Sequence, residues 1–132
     1  MRLILTALTL LAGLFNLFLA VSFLLDPAGM GAQFGVSPNG ALGQAVLRAD
    51  FTAFFAVCGG CMVWGAWRRS GDLLLVPVAL LGIAFVGRLI TAVSYGVEPG
   101  FFVPMVAEAA QVVLLLAAWR VVPHHSIEEL TD

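Results

Sequence analysis

The sequence predicts an all-α fold, a four-helix transmembrane bundle in N-in/C-in orientation, on three observations. Hydrophobic residues make up 61% of the 132 positions and charged residues only 11%, less than half the roughly 25% of an average soluble domain. Four long apolar runs are divided by short segments rich in turn residues. The arginines gather at one set of run ends. With a mean hydropathy of +1.05, six basic and eight acidic residues cannot wet the surface of a soluble domain this size. A soluble enzyme, a disordered chain and a nucleic-acid binder are excluded, the last because no basic stripe exists to neutralise phosphates.

The first run, Leu3–Leu25, is longer than the roughly 7–15 apolar residues of a cleaved signal, so a retained helix is expected. Asp26 and Pro27 then offer a cap and first position for a short interfacial turn. Five glycines between Asp26 and Gly43 argue against a long helix there. That 18-residue stretch is expected to be a connector rather than a lid over the bundle mouth. The second run, Gln44–Trp67, ends at Arg68-Arg69-Ser70-Gly71. The third, Leu73–Tyr95, ends at Gly96-Val97-Glu98-Pro99-Gly100, and the fourth is Phe101–Val122. Each run holds 22 to 24 residues, roughly 33–36 Å of helix, enough for a hydrocarbon core of about 30 Å. Backbone polar groups in lipid must be satisfied within the element, which makes the runs helices. The five-residue connections make the last three helices antiparallel neighbours. No repeat or linker divides the chain, so residues 1–132 read as one integral membrane domain.

After Pro123 the tail is polar. Ser126-Ile127-Glu128-Glu129 fits a capping box with too little chain behind it for a stable helix. His124 and His125 are two metal-capable side chains, but a closed four-ligand set is not in sight. No metal site is expected.

Orientation comes from the arginines. Arg2, Arg68, Arg69 and Arg120 lie at ends that share one side of a four-span protein, and the other side's loops carry Asp26 and Glu98 without arginine. The positive-inside rule places both termini in the cytoplasm. Trp64, Trp67 and Trp119 fall at the same ends, where an aromatic belt belongs.

Ionisable side chains inside membrane segments are costly and need a reason. Arg88 and Glu108 each lie seven residues from the outer end of their helix, at about 10 Å depth, with Asp50 near 9 Å and Arg48 near 6 Å. Their charges sum to zero. Arg88, Thr91 and Tyr95 share one helix face, as do Glu108 and Gln111. Thr9, Gly13, Asn16 and Ala20 form a small and polar stripe suited to close packing. Arg48 and Asp50 are about 200° apart around a regular helix, so only one points inward. Arg48 continues through Thr52, Phe55 and Gly59 and is assigned inward. The expected site is an outer-half polar pocket lined by Arg48, Arg88, Glu108, Gln111, Asn16 and Tyr95. Its two guanidiniums would hold an anionic group bidentately. Two further readings stay open: an Arg88–Glu108 pair that only fixes helix register, and a proton carried by Glu108.

Cys58-Gly59-Gly60-Cys61 suggests thiol–disulfide exchange, with a quinone as electron acceptor. Reactive pairs of this spacing normally sit at a helix N-terminus beside basic groups. This pair is mid-helix, where small cysteines also serve close packing. No span holds a histidine for haem, and no catalytic constellation or phosphate loop can be assembled. Neither a cofactor nor an enzymatic activity is expected.

Three stretches carry a family resemblance: Leu47-Arg48-Ala49, then Gly87-Arg88-Leu89 with Tyr95-Gly96-Val97-Glu98-Pro99 after it, and Glu108. With them the chain resembles the small bacterial four-helix membrane proteins grouped as domain of unknown function 4345. The resemblance spans nearly the whole chain. It implies the fold, a bacterial inner membrane, and Arg48, Arg88 and Glu108 as recurring polar residues without an established role. Where that family follows its arginine with an aromatic–glycine pair, this chain has Asp50-Phe51-Thr52. In architecture it also looks like DoxX-type membrane proteins, some of which are linked to thiol or quinone chemistry.

The resulting expectation is a membrane protein surrounded by lipids that binds a lipid-like or anionic small molecule in the outer-half cluster. The alternatives are a thiol/quinone oxidoreductase using Cys58 and Cys61, and a small proton-coupled transporter. Partners expected besides the ligand are a second copy of the chain or another protein.

Overall fold

The structure is a computed structural model that describes residues 1–122. The histidine pair and the capping box fall outside the described residues. Helix α1 spans Arg2–Leu25, α2 Pro27–Gln33, α3 Gly40–Val46, α4 Thr52–Arg68, α5 Leu75–Tyr95 and α6 Phe102–Val121. A π-helical turn, Leu47–Phe51, joins α3 to α4, so Gly40–Arg68 is one helical stretch of 29 residues. A 3₁₀ turn, Asp72–Leu74, leads into α5. No strand occurs among the described residues.

Four helical stretches are long and apolar enough to cross a membrane: Arg2–Leu25, Gly40–Arg68, Asp72–Tyr95 and Phe102–Val121. By length and composition this is an integral membrane protein. Its perimeter agrees: Leu11, Phe18, Ile83, Val93, Val103 and Val113 are all at least half exposed, a surface that lipid accepts and water would not.

The helices close a ring in which α1 packs on α4 and α6, and α5 packs on the same two. The α1–α4 contact is the most extensive, and small residues explain it. A Cβ added at Gly59 would lie 2.6 Å from the Gly13 carbonyl oxygen and 2.8 Å from the Leu17 nitrogen. One at Gly13 would lie 2.9 Å from Met62 Cβ. The two backbones therefore touch, the close approach that glycine permits between membrane helices. Further along, the Thr52 hydroxyl donates to the Ala20 carbonyl at 3.3 Å, and Arg48 Nε to the Leu24 carbonyl at 3.0 Å.

The α1–α3 connection is more structured than a plain connector. Asp26 caps α2, its Oδ1 accepting from the Gly29 amide at 3.0 Å, with Pro27 in the first turn. Beyond α2, Phe34 folds back onto Phe23 and Phe55, with ring centroids 5.3 and 5.9 Å apart. Phe23 also meets Phe51 at 4.8 Å. This aromatic cluster makes the connection a cover over one end of the bundle. A second core, containing Cys58, Met62, Leu74, Leu81, Leu115 and Ala118, fills the other half.

Candidate functional site

The site lies at the covered end, where the π-helical turn, α5 and α6 contribute charged side chains to one cavity. Arg88 on α5 donates from Nε to Oε1 of Glu108 on α6 at 3.0 Å. The two are unequally placed, with the Arg88 side chain 30% exposed and that of Glu108 11%. The second carboxylate oxygen, Oε2, is buried and has no hydrogen-bond partner. A buried acceptor left in this state costs free energy unless something donates to it.

Two cavities meet at Glu108. The larger, about 460 Å³, opens between α4 and α5 and is lined by Asp50, Arg88, Thr91 and Glu108 together with Phe34, Phe51, Phe54, Phe55 and Phe101. The second, about 420 Å³, opens between α1 and α6 and shares Phe34, Phe54, Phe55 and Glu108 with the first. Gln33 and Gln111 add its other polar side chains, and Met30 and Phe15 its apolar wall. Each volume lies within the roughly 300–1,000 Å³ of small-molecule sites, and mostly apolar walls with a few polar groups are the usual pattern. A third cavity of about 400 Å³ reaches the Glu98–Phe101 connection and shares Arg88.

Asn16 and Gln111 tie α1 to α6. The Asn16 amide donates to Gln111 Oε1 at 2.6 Å and to the Ala12 carbonyl at 2.8 Å. Asn16 is fully buried and lies behind Gln111, lining neither cavity. Its role here is to hold Gln111, a correction to its expected place in the wall.

Arg48 and Tyr95 also depart from expectation. Arg48 is exposed, bonded to Leu24 on α1, while Asp50 lines the larger cavity. The π-helical turn is the reason. It adds a residue to one turn, so Leu47 takes the inward phase above Thr52 and is 2% exposed. Arg48 is carried to the flank. Two guanidiniums therefore do not converge on the pocket. Tyr95 shares the Arg88 face by periodicity but is 90% exposed. It ends α5, and Gly96 at φ 87° turns the chain away.

The aromatic wall was readable in principle, since Phe51, Phe54 and Phe55 follow helical spacing on one face. Phe34 was not, because nothing local fixes how an 18-residue connection folds back.

Cys58 and Cys61 are free thiols on successive turns of α4, Cys58 buried and Cys61 partly so. Cys58 packs with Met62 and Leu115 in the second core. Among the described residues no group of three or more histidine, cysteine or acidic residues is placed to hold a metal ion. No family model, curated protein or solved structure matches this chain.

Proposed function

We propose that this protein binds a lipid-like small molecule from the bilayer, in the aromatic cavity that ends at Glu108. One observation carries the reading: a partnerless, buried carboxylate oxygen sits where two cavities meet. A ligand with an apolar body and a polar end would bury its body against the phenylalanines and satisfy Glu108. The openings between helices suit entry from lipid. The anionic version of this reading has less support, because Arg48 stands outside and Arg88 is already paired.

The setting belongs to the same proposal: a bacterial inner membrane with both termini in the cytoplasm. Arg2, Arg68, Arg69 and Arg120 are exposed at one end, and the Arg68 guanidinium lies 5.3 Å from the Trp64 ring centroid. Such a cationic, aromatic end suits a cytoplasmic headgroup layer. The thiol/quinone alternative lacks access, since Cys58 is 0% exposed. Native mass spectrometry of gently extracted protein tests the proposal. A discrete retained mass of lipid-like composition is expected, and a chain that is consistently bare would overturn it.

A further inference from the structure

We propose that the preferred ligand of the larger cavity is a lipophilic organic cation, which deepens and rests on the reading that this cavity takes up a membrane-soluble molecule. The charged residues lining the three neighbouring cavities are Asp50, Glu98 and Glu108 against Arg88 alone. The larger cavity by itself holds Asp50, Glu108 and Arg88, a net charge of −1. The Arg88 bond engages only Oε1 of Glu108. Its other oxygen stays buried and partnerless, on a residue 8% exposed. Asp50 makes no hydrogen bond or ion pair to the described residues and stands in the same wall.

Apart from Thr91, Ala84 and Gly87, the rest of the wall is aromatic. Phe51, Phe54 and Phe55 come from one helix face, Phe101 from the start of α6, and Phe34 from the cover. Aromatic faces attract a positive charge through the ring quadrupole, more strongly where water is excluded. An anion would meet two carboxylates against one arginine. A neutral lipid would leave the acid excess uncompensated. The chemistry that matches every wall is a delocalised or quaternary cation with an apolar body.

Tetraphenylphosphonium and tetraphenylborate test this, because they share a shape and differ in the sign of charge. Protein-dependent binding of each is measured by equilibrium dialysis of the full chain in detergent, against empty micelles. The cation should bind at least about tenfold more tightly than the anion, as complementary charge in a partly desolvated site requires. Equal binding of both ions, or preference for the anion, would overturn the inference and leave the lipid-like reading standing. If neither binds while native spectra still show a retained lipid, only the inference fails. If neither binds and the chain is bare, both fail. Because any change at Glu108 also disturbs its pair with Arg88, the diagnostic variant is the exposed Asp50→Asn. It should weaken cation binding about fivefold, the upper range for an exposed charge pair, and leave anion binding no weaker. Unchanged cation affinity would overturn the assignment.

Discussion

Removing either partner of the Arg88–Glu108 pair should destabilise the bundle, and unequally. At 3.0 Å and an effective permittivity of about 20, the gross attraction is about 5.5 kcal/mol. Desolvation offsets much of this, and the 30% exposure of the Arg88 side chain lets water and headgroups screen the rest. The orphaned partner then decides each single variant. Arg88→Ala strands a carboxylate that is largely buried, which should cost about 3 kcal/mol, the lower end for breaking a buried pair. Glu108→Ala leaves an arginine long enough to reach the interface, and should cost about half as much. The double variant should cost less than the sum of the two, with a coupling of about 2 kcal/mol. Reversible unfolding in mixed micelles measures all four corners of the cycle. Costs that add to within about 0.5 kcal/mol would refute the pairing, and a larger loss from Glu108→Ala would refute the burial argument.

Other consequences are as specific. Gly59→Ala should cost about 1–3 kcal/mol by forcing overpacking, since its Cβ meets backbone at 2.6 Å. Gly60→Ala, with nothing within 4 Å, should be neutral or stabilising by up to about 1 kcal/mol; thermal denaturation of the pair checks both. Asp26→Ala removes the cap of α2 and should loosen that end by about 1 kcal/mol, seen as faster amide exchange in residues 28–33. A maleimide should modify Cys61 before Cys58 in the native protein, as their burial dictates. Equal rates, or a mass two hydrogens short, would revive the thiol alternative.

The spans were legible because hydropathy over some twenty residues depends on no neighbour. Their expected starts and ends fall within four residues of those observed, the largest gap being Gly40 against Gln44. Arg88 and Glu108 were also legible, since equal depth on adjacent antiparallel helices leaves them few other partners. What failed was phase. A regular 100° per residue assigns Arg48 inward, whereas across the π-helical turn at Leu47–Phe51 it is Asp50, four residues before Phe54, that lines the cavity. In that turn Leu47 is buried and Phe51 packs on Phe23 of α1 and Phe34 of the cover, contacts that composition does not reveal. Glycine content likewise hid α3 and the length of α2: the turn expected at Asp26 and Pro27 runs on as a capped helix to Gln33, and α3 leads without a break into the π-helical turn. The change has chemical weight, because it turns a cavity expected to hold two arginines into one with an excess of carboxylate.

Filling the larger cavity is the decisive test of ligand binding. Gly87 lines it, and a Cβ there meets nothing within 4 Å, so Gly87→Phe should occupy ligand space without disturbing the helix contacts. Native mass spectra of wild type and Gly87→Phe, extracted from the same membranes in parallel, should show a retained lipid-like mass on the first and its loss from the second. The same mass held equally by both proteins would place the ligand elsewhere and contradict the assignment of this cavity.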